Sequence, residues 1–268
     1  RNNMKTNAIL AGILIILGST SITFAMTADE IMKKVDDRDT GETQISTATM
    51  TLIDKKDRKR VRKLKLFSKE FSNVDKSISF FVSPTDVKDT SFLSYDWKDE
   101  TKEDDSWLYL PAMQRVNRTA AGDKSNSWMG SDFTFSDVEG TELTEYTYKI
   151  VSESDPVDGH DCWKIEATPI SKAIIKKTGY LKTVNWIRKD SFLLVRGIFY
   201  VKKGKKLKYY SAKNIEKIDG IWTAGTIQMV TTKNKKVQHS SIFSLENVSY
   251  NKDVEDQMFE VETMQRGL

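Results

Sequence analysis

A long series of short segments that alternate apolar and polar residues constrains the fold of this chain more than any other feature. Turn signals such as Asp158-Gly159, Lys203-Gly204 and Asp219-Gly220 separate the segments, and no long apolar stripe with helical spacing lies between them. The pattern therefore predicts an antiparallel meander, whose strands must curl, split or close because so wide a sheet rarely stays flat. The predicted strands are Ile45–Ile53, Arg58–Phe67, Ser77–Ser83, Thr90–Trp97, Trp107–Leu110, Arg115–Arg118, Glu145–Ser152, Asp161–Thr168, Thr183–Arg188, Phe192–Val201, Lys206–Ile215, Trp222–Thr232 and Val237–Tyr250.

The first 25 residues have the pattern of a secretory signal peptide, and we expect them to be removed near Ala25. Lys5 precedes an apolar run, Ala8–Leu17, that is too short to span a bilayer comfortably, and the small residues of the pattern Thr23-Phe24-Ala25 end it. No cysteine stands at the cleavage site, so a lipid anchor is not expected. The prediction is an exported, soluble chain.

Residues 26–268 are predicted to form one domain. The chain has four prolines, and neither a linker rich in Pro or Gly nor an internal repeat divides it. Thr27–Val35 is predicted to be a helix, with Thr27 as its N-cap, acidic residues in the first turn and lysines in the last. The residues alone thus indicate an antiparallel sheet with a few short helices.

The stretch from Trp107 to Gly140 stands out by its aromatic content. The strand that begins it ends at Pro111, because proline cannot donate to a strand ladder. Ser131 or Asp132 is predicted to cap a short helix that runs through Asp137. Three aromatic side chains close to one glycine are poorly suited to a solvent loop, so they are interpreted as a plug or rim over an apolar interior: Trp128, Phe133 and Phe135.

Two arginines of this stretch, Arg115 and Arg118, allow two interpretations. On the two-residue period of a strand they fall on opposite faces, so at most one points inward. An inward Arg115 would hold an acyl carbonyl or an anionic head group. The alternative is an exposed ion pair with the acidic run Asp99–Asp105, which would contribute little to stability.

The chain shows no catalytic or metal-binding motif. Its histidines, His160 in a turn and His239 in a strand, have no Gly-x-Ser-x-Gly motif to accompany them, and an active site is not expected. The single cysteine, Cys162, is interpreted as a small buried hydrophobic residue rather than a metal ligand. The acidic run lacks the glycine and the oxygen spacing of a calcium loop. We therefore expect no catalytic residue, no metal and no cofactor.

The charge of the chain gives little support for a nucleic-acid partner. The net charge is +4, and removal of residues 1–25 takes away Arg1 and Lys5 but no acid, which leaves +2. The basic clusters Lys55–Lys65 and Lys202–Lys208 are interpreted as solvated strand edges, where lysine opposes edge-to-edge pairing. Five methionines are candidates for an adaptable apolar pocket, with ordinary core packing as the alternative: Met113, Met129, Met229, Met258 and Met264.

Two runs of the aromatic stretch, YLPAMQRVNR and SWMGSDFTFSD, resemble the signature of the LolA-like outer-membrane lipoprotein-sorting proteins. The resemblance extends from Ile45 to the terminal segment Met258–Leu268. It implies a mainly β fold in which one strongly curved antiparallel sheet, a half-barrel closed by short helices, surrounds an apolar cavity. It also implies a non-enzymatic periplasmic carrier of lipid or lipoprotein acyl chains, with an inner-membrane exporter of RND type or an outer-membrane acceptor as candidate partners.

The resemblance leaves a second function open, a periplasmic lipid or stress sensor that regulates a membrane protein. For a carrier, Ser131–Asp137 and the N-terminal helix would cover the cavity as a lid. Eight residues are assigned to the cavity or its lid: Trp107, Tyr109, Leu110, Arg115, Trp128, Met129, Phe133 and Phe135.

Overall fold

The computed structural model describes residues 25–99 and 101–268, so the predicted signal peptide lies outside the described residues except for Ala25. Thirteen strands form one sheet. They are β1 (Thr43–Asp54), β2 (Lys59–Glu70), β3 (Val74–Ser83), β4 (Ser91–Trp97), β5 (Asp105–Leu110), β6 (Arg115–Arg118), β7 (Tyr146–Ser152), β8 (Cys162–Pro169), β9 (Tyr180–Arg188), β10 (Leu194–Val201), β11 (Lys206–Ile218), β12 (Ile221–Lys233) and β13 (Lys236–Tyr250).

Short helices accompany the sheet. The α-helices are α1 (Ala28–Asp36), α2 (Phe135–Glu139), α3 (Lys172–Thr178) and α4 (Val261–Arg266). Single 3₁₀ turns occupy Pro111–Met113, Ala121–Asp123, Trp128–Gly130, Leu143–Glu145 and Asp256–Phe259. None of these helices is long and apolar enough to cross a bilayer.

All neighbouring strands are antiparallel, which confirms the prediction of a mainly β, antiparallel fold. The order across the sheet is β6-β5-β4-β3-β2-β1-β13-β12-β11-β10-β9-β8-β7. The fold is therefore two meanders joined at a central seam between β1 and β13, where Met50 lies opposite Phe243. Because β6 and β7 are the two edges of the sheet, residues 119–145 must cross from one edge to the other.

The sheet is curved around its inner face. On β1 the inner face carries Met50 and Leu52, which are fully buried, and Leu64 of β2 lies beside them. Residues of β3 and β9 line the same cavity although six strands separate them in the sheet. In a flat sheet those strands would lie about 34 Å apart, because neighbouring strands are spaced about 4.8 Å.

Helix α1 forms as its sequence predicts. The Thr27 hydroxyl accepts from the Glu30 N–H at 3.2 Å, and the Glu30 carboxylate accepts from the Thr27 N–H at 2.8 Å, which completes a capping box. Ile31 is fully buried and packs against Trp163 and Ile165. The helix thus covers the inner face near the β7 edge.

The predicted cap of the second helix was wrong by two or three residues. Thr134, rather than Ser131 or Asp132, caps α2: its hydroxyl accepts from the Asp137 N–H at 3.0 Å. Ser131 instead closes the turn before it by donating to the Trp128 carbonyl at 2.7 Å. Asp132 is engaged by strands on the far side of the seam, as described below.

Candidate functional site

A cavity of about 620 Å³ lies between the inner face of the sheet and the crossing segment, residues 119–145. Its lining is predominantly aliphatic and aromatic, and both meanders contribute to it. Representative lining residues are Leu66, Ile78, Phe92, Phe199, Ile227 and Met229. The size is typical of pockets that enclose a small organic molecule.

Two aromatic residues of the crossing segment, Trp128 and Phe133, line this cavity and anchor the segment to the sheet. Trp128 is 3% exposed, and the centre of its ring lies 5.7 Å from that of Phe81 and 5.9 Å from that of Phe243. Phe133 packs edge-on against Phe243 at 5.4 Å. The crossing segment therefore packs against β3 and β13, on both sides of the seam.

A carboxylate fixes the crossing segment to the second meander. Asp132 is 5% exposed, and its carboxylate accepts from the hydroxyls of Ser241, at 2.7 Å, and Thr231. Nδ1 of His239 lies 2.7 Å from the same carboxylate. The Ser241 hydroxyl also accepts from the Asp132 N–H at 2.9 Å, so backbone and side chain are both bound.

This Asp–His–Ser group has the geometry of an anchor. In a nucleophilic triad the serine would bond to the histidine, which would remove its proton. Here the Ser241 hydroxyl donates to Asp132 instead. His160, the other histidine, is exposed in the turn before β8.

A buried ion pair within the crossing segment lies against β5. Nζ of Lys124 lies 2.8 Å from the Glu139 carboxylate, and the two side chains are 5% and 2% exposed. The Ser106 hydroxyl of β5 donates to the other carboxylate oxygen at 2.6 Å. The Glu139 carboxylate is thus held by an ion pair on one oxygen and by a hydrogen bond on the other, and both side chains of the pair are almost fully removed from water.

A polar group lies at one side of the cavity. The Tyr180 hydroxyl donates to the Asp137 carboxylate at 2.6 Å, and Lys208 donates to the same hydroxyl at 3.0 Å. Burial, reinforced by Asp137, raises the pKa of Tyr180 well above its ordinary value, and burial lowers the pKa of Lys208. The tyrosine therefore stays neutral and acts as a hydrogen-bond donor.

Four buried polar atoms of the lining have no hydrogen-bond partner among the described residues: Ser79 Oγ, Trp128 Nε1, Ser136 Oγ and Asn185 Oδ1. Buried polar groups are rarely left unbonded, because desolvation without a partner is costly. Three of the four atoms are able to donate, and the Asn185 oxygen can only accept. The cavity is therefore apolar with a small number of unsatisfied hydrogen-bonding positions.

The eight residues assigned from the sequence are distributed over two regions. Trp128 and Phe133 line the cavity, while Met129 and Phe135 pack against the adjoining inner cluster. Trp107 and Tyr109 belong to a separate cluster under α4, and Leu110 is half-buried at the end of β5. The eighth residue, Arg115, is exposed.

An inward-pointing arginine is not found at β6. Arg115 and Arg118 are both exposed, and Arg118 forms an ion pair with Asp105. Neither arginine of this short edge strand is buried. Arg118 therefore fits the second interpretation, an exposed ion pair with the acidic run. The polar residues of the cavity come from other elements.

Several lining residues lay outside the sequence prediction, chiefly Asn185, Phe199 and Ile227 of the second meander. Of the candidate methionines, Met229 lines the cavity, whereas Met113 is 60% exposed. Met32 of α1 also lines it. Cys162 is fully buried, as predicted for a small hydrophobic residue.

Three carboxylates meet outside the cavity, at the end of the sheet where β4 leads into β5. Oxygens of Asp96, Asp104 and Glu142 lie within 4.8 Å of one another. Desolvation, followed by repulsion from Asp104 and Glu142, raises the pKa of Asp96 to about 7. Between about pH 4 and about pH 7, the Asp96 carboxyl is therefore protonated in the folded protein and ionised in the unfolded chain.

The Asp96→Asn variant is expected to be more stable than the parent protein at about pH 8. Because the folded pKa exceeds the unfolded one, ionised Asp96 destabilises the fold increasingly as pH rises through about 4 to about 7. Thermal unfolding measured across this range should show the difference in melting temperature shrinking as the pH falls. Asp253→Asn is the control, because Asp253 is exposed, as Asp96 is, but lies outside the group of three carboxylates. If the difference in melting temperature between Asp96→Asn and the parent protein does not change with pH, the raised pKa of Asp96 is contradicted.

Comparison with known proteins gives the following similarities. A family model whose description reads "Uncharacterized protein" matches residues 73–266. A structure from Vibrio parahaemolyticus, described as an outer-membrane lipoprotein-sorting protein domain, is 28% identical, with 89% of this chain and 98% of that chain covered and a TM-score of 0.79. A DUF1329 family protein from Desulfovibrio piger is 29% identical, with 88% and 97% covered and a TM-score of 0.79.

A LolA superfamily protein from Nitrosomonas europaea shares the fold at 19% identity, with 89% and 99% covered and a TM-score of 0.65. No curated protein sequence matches the chain.

Proposed function

Because the chain belongs to the LolA-like family of outer-membrane lipoprotein-sorting proteins, we propose that it is a periplasmic carrier that encloses the acyl chains of a lipid or lipoprotein. The carrier would bind its cargo reversibly and move it towards the outer membrane. No covalent step is part of this proposal. Residues 1–25 would serve as the export signal, and residues 26–268 as a single carrier domain.

The observation that carries the proposal is the apolar cavity of about 620 Å³ on the inner face. Burial of each methylene group gains about 0.8 kcal/mol, so one long acyl chain provides tight binding without a covalent bond. The same interaction is reversible, because it depends on contact area rather than on a specific reaction. Both meanders line the cavity, so a bound chain would contact the two halves of the sheet together.

The unsatisfied polar atoms of the lining suit a lipid better than a pure hydrocarbon. Ser79, Trp128 and Ser136 offer donors that would bond to ester or amide carbonyl oxygens. The Asn185 oxygen would accept from a hydroxyl or amide N–H of the cargo. These hydrogen bonds would set how deeply the ester or amide end of the acyl chain enters the cavity.

The decisive experiment is native mass spectrometry, with lipid extraction, of protein purified from the periplasm without detergent. A stoichiometric bound lipid is the expected result, and its mass would identify the cargo class. A protein that stays free of lipid after incubation with membrane vesicles would contradict the carrier proposal. Stoichiometric capture of a membrane regulator by such lipid-free protein would favour the sensor alternative.

Val138→Glu is expected to weaken the binding of a fluorescent fatty acid about tenfold, the equivalent of about 50 Å² of lost apolar contact. Val138 is 37% exposed and lines the cavity, so it lies where the cavity meets solvent and tolerates a charge without unfolding. Val151→Glu is the matched control, since Val151 is 50% exposed on β7 and is not a lining residue. Equal binding by both variants would place the entrance elsewhere.

The proposal extends to two candidate partners, an inner-membrane exporter of RND type and an outer-membrane acceptor. The support for them is the family membership and the need of any carrier for a donor and an acceptor. Cross-linking in intact cells, followed by purification of the chain, would identify them. Recovery of a cytoplasmic protein alone would contradict this part of the proposal.

A further inference from the structure

Three hairpin turns lie side by side at one end of the sheet. They connect β1 to β2, β12 to β13 and β10 to β11, and these six strands are consecutive in the sheet order. Asp54 at the end of β1 lies opposite His239, close to the second turn, and Lys206 of the third turn lies opposite Lys233 of the second. Turns that are far apart in sequence therefore form one continuous surface.

This surface, which we term the basic end, consists of residues 54–60, 202–206 and 233–236. The three turns carry five, four and three basic residues, of which ten are lysines, and two acids, Asp54 and Asp57. Asp54 is bonded to Arg58. The basic side chains are all on exposed residues: Lys55, Lys56, Arg58, Lys59, Arg60, Lys202, Lys203, Lys205, Lys206, Lys233, Lys235 and Lys236.

The opposite end of the sheet has the reverse charge. The turn between β2 and β3 is flanked by Glu70 and Asp75, which share Lys98 as an ion-pair partner, and the turn between β11 and β12 contains Asp219. The connection from β4 to β5 contains Asp99, Glu103 and Asp104. The small net charge of the chain thus conceals a strong separation of charge along the strands.

Apolar side chains are exposed beside the basic end. Val61, Tyr209 and Val237 are 49%, 40% and 56% exposed. Tyr209 lies in one cross-strand row with Val230, Ser240, Ile53 and Lys59, so it shares a face with Lys59, and Val61 follows two residues later on that face. The basic surface therefore adjoins apolar groups that are able to enter an interface.

We propose that the basic end docks on the surface of an anionic lipid bilayer. Lysine predominates over arginine, and its compact charge suits a mobile layer of phosphate head groups that needs no fixed bidentate geometry. Each lysine close to such a surface contributes about fivefold to binding, and effects of twelve clustered charges accumulate. The exposed valines and tyrosine enter the head-group region, where amphipathic and apolar groups add to the electrostatic attraction.

The test is co-sedimentation of the purified protein with vesicles of phosphatidylcholine alone or of phosphatidylcholine mixed with phosphatidylglycerol. Binding is expected only to the mixed, anionic vesicles. It should weaken steeply with added salt, because the Debye length falls from about 10 Å at 0.1 M to about 3 Å at 1 M. Equal binding to both kinds of vesicle would overturn the proposal.

A charge-matched pair of variants locates the docking surface. Replacing three lysines of the basic end with glutamine is expected to reduce binding to anionic vesicles at least about tenfold. Replacing three exposed lysines elsewhere removes the same charge and is expected to change binding less than about twofold. The first variant combines K203Q, K235Q and K236Q, and the second combines K149Q, K213Q and K252Q.

Equal losses in the two variants would refute the basic end as the docking surface. Binding of the parent protein to soluble polyglutamate, without binding to anionic vesicles, would assign this surface to an acidic macromolecule and overturn the membrane proposal. The inference is independent of cargo binding, because the six lysines do not line the cavity. Fatty-acid binding in solution should therefore be unchanged in both variants. A parent protein that binds anionic vesicles but no fatty acid would contradict the carrier proposal and leave the docking proposal intact.

Discussion

Trp128→Ala is expected to lower the free energy of unfolding by about 3–5 kcal/mol, the range typical of removing a large aromatic side chain from a core. Trp128 is 3% exposed and contacts Phe81, Phe92 and Phe243, so the substitution would leave a void between the two meanders and the crossing segment. Urea unfolding followed by circular dichroism measures the loss.

The conservative variant Trp128→Phe separates packing from hydrogen bonding. Trp128 Nε1 has no partner among the described residues, so phenylalanine removes no protein hydrogen bond and is expected to retain most of the stability. If the N–H instead bonds to cargo, Trp128→Phe should weaken lipid binding while the fold persists. A loss below about 1 kcal/mol in Trp128→Ala would show that this residue does not anchor the crossing segment.

Lys124→Met is expected to destabilise the protein by about 3–5 kcal/mol, because it leaves the Glu139 carboxylate buried without its counter-charge. The two side chains are 5% and 2% exposed, so solvent cannot replace the lost partner without opening the segment. Urea unfolding of the single and double variants at neutral pH measures the effect as a double-mutant cycle.

The double variant Lys124→Met with Glu139→Leu is expected to recover much of that stability, since it removes the unpaired charge as well. Lys33→Met is the control for loss of an ion pair as such. Lys33 and Asp37 are 67% and 54% exposed, and the change should cost no more than about 1 kcal/mol. No recovery in the double variant would indicate that Lys124 acts through packing rather than through its charge.

The strands were the most predictable part of the fold. Arg115–Arg118 was predicted with the bounds that the structure gives, and Trp107–Leu110 lies within β5. Side-chain alternation is a local property, and the sequence displays it directly. Helices α3 and α4 were not predicted individually. They have seven and six residues, too few for the spacing of their apolar residues to be distinguished from the alternation of the strands.

The pairing of the first strand with the last could not be predicted from alternation. Each strand of the seam buries one face and would show the same pattern beside any other antiparallel neighbour. Pairs such as Met50 and Phe243 are separated by most of the chain, and no local signal links them. The sequence therefore predicted a simple meander. That residues 119–145 cross from one edge of the sheet to the other became evident only from the pairing of β1 with β13.

Only one wall of the candidate cavity, the crossing segment, could be predicted from the sequence. Trp128 and Phe133 were identified because aromatic residues in a polar loop need an apolar surface to cover. The opposite wall was not identified, because Phe199 and Ile227 resemble inner-face residues of any strand. Whether such residues pack against a core or border a cavity depends on the curvature of the sheet, which alternation does not encode.

The seam between β1 and β13 also sets an order of events during synthesis. Strands β1–β6 are able to form their hairpins as soon as they emerge, since each pairs with its immediate neighbour in sequence. Their inner face, with Met50, Leu52 and Leu64, acquires its neighbour only when residues 236–250 arrive. Long-range pairings of this kind form late, because loop closure must precede them. If the chain is exported as proposed, it therefore lacks its central strand pair until its last strand has crossed the membrane.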